Sequence, residues 1–223
     1  MDRHRRMFLS RGAAGFAVAA GTMLLPAWAR ATPSDGSVLP AFFDAELGKE
    51  VKATEANIEG PFFRRNAPFR GKVTPPLEPG VVMLLKGRVW GLDTRKPLPD
   101  ALLDVWQANK DGRYDNDDAA KPPDHDVYVN RLRLRCDEKG RYEYETIHPG
   151  SYLNGTQYRP PHIHYRVQAA GYKTLITQLY FEGDKHQEKD PFIRKSLIIK
   201  LEQAKRGEVS YETGTFDIVL AKA

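Results

Sequence analysis

The sequence predicts an all-β fold: an antiparallel β-sandwich of about eight strands, with long loops over one end and little helix. Three observations predict it. From Val81 onward apolar residues recur at every second position rather than every third or fourth, which is the period of a half-buried strand. The alternating runs are separated by short clusters of Asp, Asn, Gly and Pro that read as turns. The chain, 223 residues with 41% apolar side chains, is also long enough to bury one complete core, and it carries no internal repeat or low-complexity tract.

In chain order, residues 1–31 read as a leader rather than as fold. Arg5-Arg6-Met7-Phe8-Leu9 is followed by the apolar run from Gly12 to Leu25 and by the small-residue exit Ala27-Trp28-Ala29, with cleavage expected after Ala29 or Ala31. The paired arginines before Phe-Leu resemble the twin-arginine signal, although His4 and Ser10 depart from its usual residues. That resemblance implies export by a bacterial twin-arginine translocase to the periplasm or beyond. An ordinary secretory signal shares the remaining features. The apolar run is shorter than the roughly 20 residues that span a bilayer, so no stable membrane anchor is expected. Five arginines against Asp2 put four of the five net positive charges in this segment and leave one over residues 32–223, which gives no basic surface for nucleic acid.

Residues 32–80 read as an N-terminal arm. Phe42, Phe43, Leu47 and Val51 stand at near-helical spacing and predict a short helix, which Glu59-Gly60-Pro61-Phe62-Phe63 breaks. Residues 81–223 form the sandwich, with strands expected at Val82–Leu92, Ala101–Ala108, Tyr128–Arg135, Arg141–Ile147, Arg159–Ala169, Thr174–Phe181, Ser196–Leu201 and Thr215–Leu220. Asp137-Glu138-Lys139-Gly140 reads as a hairpin turn, Asp190-Pro191 as the start of a one-turn helix, and the acidic stretch 115–126 as a solvated loop without calcium-loop spacing. Cys136 is the single cysteine, which excludes an intrachain disulfide and a thiolate zinc site.

Chemistry concentrates in Arg159-Pro160-Pro161-His162-Ile163-His164. On a strand His162 and His164 project from the same face, about 7 Å apart along the backbone, and can converge on one metal ion. Alone, such a pair reads more readily as two hydrogen-bonded histidines on a half-buried strand. Tyr114 and Tyr152, however, each follow a tight glycine turn just beyond a strand end, Asp111-Gly112-Arg113-Tyr114 and Pro149-Gly150-Ser151-Tyr152. Taken singly, each is as well explained as a loop aromatic covering apolar surface. Two phenols with two imidazoles make a donor set suited to a hard, highly charged ion such as Fe(III), whose charge two phenolates and a hydroxide would cancel. No carboxylate accompanies the histidines, which disfavours a hydrolytic metal site.

The ordered motifs Glu59-Gly60-Pro61-Phe62, Gly87-Arg88-Val89 with Pro97-Leu98-Pro99-Asp100-Ala101, Asp104-Val105-Trp106-Gln107-Ala108, Gly112-Arg113-Tyr114, Thr146-Ile147-His148-Pro149-Gly150-Ser151-Tyr152, Arg159-Pro160-Pro161-His162-Ile163-His164 and Thr177-Gln178-Leu179-Tyr180-Phe181 resemble the intradiol ring-cleavage dioxygenases. The resemblance implies a non-heme Fe(III) enzyme that cleaves a catechol between its two hydroxylated carbons with O2, giving a muconate-type product. It implies Tyr114 and His162 as equatorial ligands, Tyr152 and His164 as axial ligands, Tyr152 also as a base, Arg159 over the substrate ring and Gln178 behind the ligands. Tyr128 and Tyr158 are left as packing or pocket residues. Pro161 stands where the family usually has alanine, the Tyr152-to-His162 connection is short with Asn154-Gly155 in it, and too little chain precedes Val81 for a helical dimerisation domain. The choice of catechol and a homo-oligomeric state therefore stay open. A non-catalytic prealbumin-like sandwich module would share the strand motifs but has no use for the four ligands.

Overall fold

A computed structural model describes residues 51–223. The leader and all but Val51 of the expected short helix lie outside the described residues. Twelve strands follow: β1 (Val82–Gly91), β2 (Leu102–Gln107), β3 (Arg131–Arg135), β4 (Arg141–Ile147), β5 (Tyr152–Asn154), β6 (Gln157–Arg159), β7 (His162–Gln168), β8 (Leu175–Phe181), β9 (Ile198–Ile199), β10 (Glu202–Arg206), β11 (Val209–Thr215) and β12 (Ile218–Leu220). They build an all-β sandwich, as expected.

One layer is ordered β3-β2-β7-β8-β9. The other has β1 at its centre, with β4 along one edge and β11 followed by β12 along the other, β10 lying outside β11. Most pairings are antiparallel. The exceptions are β1 with β11, β1 with β12, and β8 with β9, which are parallel. Met83, Leu85, Val89, Tyr142 and Tyr144 of one layer and Leu103, Val105, Leu132, Ile163, Tyr165 and Val167 of the other are buried in a single core. The phenol oxygens of Tyr144 and Tyr165 bond each other across it, and Tyr142 donates to the Phe216 carbonyl, so these buried hydroxyls are satisfied.

Period-two alternation sorts the layers' faces. On β7, Ile163, Tyr165 and Val167 enter the core while His162 and His164 stand on the opposite, outer face, beside Trp106 of β2 and Gln178 and Tyr180 of β8. Around the histidines that face is met by Ile58, Gly60 and Phe63 of the segment 51–81, which has no ladder of its own. The segment's backbone bonds go to several strands instead: Thr54 N–H to Val219 O (2.9 Å), Asn57 N–H to Ile176 O (2.8 Å), Arg70 N–H to Arg133 O (3.2 Å) and Val73 N–H to Glu145 O (2.8 Å).

Several expectations are corrected. The strand expected from Tyr128 begins at Arg131, because Asn130 takes φ 54° and breaks the extended backbone. The strand expected over 159–169 is two strands, since Pro160 and Pro161 cannot donate to a ladder. No helix starts at Asp190. A 3-10 turn, Gln187–Lys189, ends there, and the Asp190 carboxylate accepts the Phe192 N–H at 2.8 Å. The last two expected strands shrink to β9 and β12, and the β10–β11 hairpin lies between them, turned by Gly207 at φ 59°. The acidic loop is not wholly solvated: the Asp115 side chain is 4% exposed and pairs with Arg64 and Arg131.

Cys136 is buried, and burial pushes its thiol up to about 12. The folded protein should therefore show no fast reaction with a thiol-disulfide reagent at pH 8 and should titrate one thiol on unfolding. Rapid native labelling would show that β3 does not hold its end closed.

Candidate metal centre

The centre starts from two histidines that burial keeps uncharged. His162 and His164 are 2% and 1% exposed. Desolvation lowers His162 to about 3 and His164 well below the usual imidazole range, and the nearby Arg159 cation adds to both shifts. In neutral His162 the Nδ1–H donates to the Pro160 carbonyl at 2.7 Å, which leaves the lone pair on Nε2. That Nε2 lies 3.2 Å from His164 Nε2. The His164 ring is itself held flat against Trp106, centroids 4.7 Å apart and planes 8° from parallel. Both nitrogens thus face one point from rigid supports.

The two tyrosines reach the same point on turns that touch. Gly112 has φ +78°, and a Cβ there would fall 2.3 Å from the Ser151 carbonyl oxygen. A Cβ on Gly150 would fall 2.3 Å from the Lys110 carbonyl oxygen. Two glycines let the two backbones close, and the Gly150 N–H donates to Asn109 O at 2.8 Å across the seam. As a result the Tyr114 and Tyr152 rings meet edge to face at 5.8 Å; Tyr114 lies 6.2 Å from the His164 ring and Tyr152 5.7 Å from His162. Tyr114 is buried with a hydroxyl that has no partner, while Tyr152 is half-buried. Burial raises the pKa of both, and for Tyr152 the Arg159 guanidinium opposes the rise.

Arg159, across the β5–β6 ribbon from Tyr152, is fixed on three sides. Its Nε donates to Asp190 Oδ2 (2.7 Å), and its Nη2 donates to Gln178 Oε1 (2.8 Å) and Tyr180 Oη (3.1 Å). Tyr180 donates to the same Gln178 oxygen at 2.6 Å, and Gln178 Nε2 donates to Ile58 O at 2.9 Å. Burial pulls the guanidinium down, but its bond to Asp190 and the neighbouring phenols outweigh that and raise its pKa. A cleft of about 520 Å³ opens before Tyr114, Tyr152 and Arg159, walled by Ile58, Pro61, Phe62 and Phe192.

The structure therefore brings Tyr114, Tyr152, His162, His164 and Arg159 together. Gln178 joins them only through Arg159 and Tyr180. Tyr128 stands apart, donating to Arg65 O at 2.8 Å, and Tyr158 stacks on His186 at the rim. Asp190 and Tyr180 were not among the expected site residues. Asp190 was hidden by its reading as a helix cap, and only the fold brings it to Arg159, 31 positions away. The β5–β6 hairpin was also missed, although Asn154-Gly155 is a strong turn signal and Gly155 does take φ 66°.

The donor set fits a hard cation. Among the described residues no group of three or more His, Cys, Asp or Glu side chains could hold a metal. The two imidazoles have phenols, not carboxylates, for company, and the orphaned buried hydroxyl of Tyr114 is the polar atom an ion would satisfy.

Fold and site together define a β-sandwich dioxygenase: the family described as Dioxygenase matches residues 58–222, and the chain belongs to its intradiol ring-cleavage members. It is 34% identical over 209 residues to the chlorocatechol 1,2-dioxygenase of Rhodococcus opacus, covering 82% of this chain and 79% of that one. It is 32% identical over 158 residues to catechol 1,2-dioxygenase 2 of Acinetobacter lwoffii, covering 63% of this chain but 55% of that protein. Among solved structures, the dioxygenase domain of a carbohydrate-binding fusion from Streptomyces sp. SirexAA-E superposes with TM-score 0.64 at 32% identity, over 77% of this chain and all of that one. The 3-chlorocatechol 1,2-dioxygenase of Rhodococcus opacus 1CP superposes with TM-score 0.70 at 25% identity, over 82% of this chain and 78% of that one.

Gly150→Ala isolates the close approach, since no positive φ is involved. It should lower stability by about 1–3 kcal/mol and alter the near-ultraviolet circular dichroism of the paired tyrosines. An unchanged melting curve and spectrum would mean that the two turns do not constrain each other.

Proposed function

We propose that the chain is a non-heme Fe(III) dioxygenase that cleaves a catechol-type ring between its two hydroxylated carbons with both atoms of O2, giving a muconate-type product. The convergence of two uncharged imidazole nitrogens, 3.2 Å apart, with two phenols at the head of a cleft carries this reading. Tyr114, Tyr152, His162 and His164 would hold the ion. When bound, it supplies a Lewis acid toward two adjacent catechol oxygens and a sink for electron density from the ring. The catechols, chlorocatechols and hydroxyquinols in the names of its relatives give the substrate class.

The chain's own groups have distinct tasks. The Pro160 carbonyl keeps the His162 Nε2 unprotonated and aimed. Tyr152, half-buried at the start of a two-stranded ribbon, is the phenol with room to turn; having given up its own proton to hold the ion as a phenolate, it would take a hydroxyl proton from an incoming catechol and return to the neutral phenol. Arg159 sets a positive charge over the cleft. Because Asp190, Gln178 and Tyr180 already hold the guanidinium, it need not reorganise when negative charge develops on the ring. Ile58, Phe62 and Phe192 give a flat ring apolar walls. The leader-like residues 1–31 support export through a twin-arginine translocase, with the ion taken up before translocation.

Iron-loaded protein should be red-brown, with visible phenolate-to-iron absorption and catechol-dependent O2 uptake; an iron-replete, colourless preparation would exclude the ligand set. Tyr114→Phe should remove much of that absorption and most turnover. Arg159→Leu should lower kcat by about 10²–10³-fold with a smaller change in KM, because the charge it meets belongs to the transition state. An effect confined to KM would assign Arg159 to binding alone.

A further inference from the structure

The oxygen of Tyr114 has no protein partner, so nothing at the reacting end of that side chain fixes its direction. Its orientation must come from the ring face and from the backbone on either side. On the ring face lies Phe62, stacked at 4.2 Å with planes 16° apart. Phe62 belongs to the arm, which has no ladder at that point, so Phe62 in turn needs an anchor. The anchor is Arg131, the first residue of β3, which is 2% exposed. One of its terminal nitrogens donates to the Phe62 carbonyl. Its Nε donates to Asp115 Oδ1 at 2.8 Å, and its second terminal nitrogen reaches the same carboxylate oxygen and Asn116 Oδ1 at 2.6 Å. One guanidinium thereby ties the backbone of the stacked phenylalanine to the two residues that follow Tyr114.

The other oxygen of Asp115 closes the cluster. It accepts Arg64 Nη1 at 2.8 Å, and Arg64 donates onward to Val127 O (2.8 Å) and Asp124 O (3.0 Å). The same oxygen accepts the Val129 N–H at 3.2 Å. On the far side of Tyr114, Asp117 Oδ2 accepts the Tyr114 N–H at 3.1 Å. Two guanidiniums on one buried carboxylate are a costly way to stabilise a loop, because desolvating charges offsets most of what their attraction contributes. What the cluster supplies instead is geometry. A planar guanidinium holds its acceptors in one plane and in fixed directions, whereas the three donors of an ammonium rotate on a flexible stem.

We propose that Arg131, acting through Asp115 and the Phe62 carbonyl, is the positioning residue for Tyr114: it clamps Phe62 over the phenol and fixes the direction in which the phenol oxygen meets the metal. This rests on Tyr114 being a ligand. The task is separate from the Arg159 network, which shares no residue with it.

The test compares Arg131→Lys, which keeps the charge and loses the fork, with Phe62→Leu, which keeps the ion cluster and loses the stack. Iron per chain, the visible phenolate-to-iron band, kcat and KM, and the near-ultraviolet circular dichroism of the iron-free protein are read for each. Both variants should shift or weaken the visible band and lower kcat at least tenfold with KM changed less than threefold, and both should alter the aromatic dichroism before iron is added. If Arg131→Lys does not fold, Phe62→Leu decides alone. Folded, iron-replete variants with the parent band and parent kcat would overturn the proposal. Tyr114→Phe separates the two levels: loss of the band there, with both positioning variants unchanged, refutes only the clamp, whereas an unchanged band in Tyr114→Phe refutes Tyr114 as a ligand.

Discussion

The backbones of residues 109–112 and 149–151 approach more closely than any side chain would permit, and the site depends on that seam. Tyr114 and Tyr152 are delivered by loops at different places in the chain: Tyr114 lies in the loop after β2, and Tyr152 opens β5 where the loop after β4 ends. Neither loop has a ladder to set its height above the sheet. Gly112 and Gly150 let carbonyl and amide groups of one turn fill the space where the other would carry a Cβ, so the two turns register against each other rather than against the sheet. The histidines need no such device, because β7 is held on both sides by β2 and β8. A strand supplies the nitrogens and a seam between turns supplies the oxygens.

Electrostatics then separates two functions that sit side by side. The four side chains proposed to hold the ion are all favoured in their uncharged forms by burial, which lowers the pKa of both imidazoles and raises that of both phenols. A cation held by this group would take the lone pair of His162 Nε2 and displace protons from the phenols, so its binding would be coupled to proton release. Arg159 is the opposite case, a permanent charge in a buried place, tolerated because Asp190 neutralises it and Gln178 and Tyr180 accept from its Nη2.

What could be read from the sequence follows from how local the cause is. Strand β4 and the shared face of His162 and His164 are set by residues within a few positions and are where the pattern puts them. A tight turn does form at Asp137–Gly140, but it is not the expected hairpin, because it carries the chain from β3 in one layer to β4 in the other. The meeting of Tyr114 and Tyr152 could be anticipated from their glycine turns, though the seam itself could not, since it is a contact between segments about forty residues apart. Arg131 looked like one more alternating arginine of a strand. Its burial is decided by Asp115, which sits in a stretch whose composition suggests only solvent. Asp190 carried a misleading local signal, Asp before Pro, that the chain uses for a turn. Residues whose role is set by one distant partner leave no period to detect.

The arm from residue 51 to residue 81 makes its backbone bonds to β12, β8, β3 and β4, and delivers Phe62 to Tyr114 and the Ile58 carbonyl to Gln178. Such contacts join distant parts of the chain, and contacts of that kind slow folding because the loop they close loses its entropy before the contact forms. On the proposed ligand set, capture of the ion would therefore need both layers and the arm in place. The centre would then double as a proofreading mark, since a coloured chain would be one whose two layers and arm are already in place.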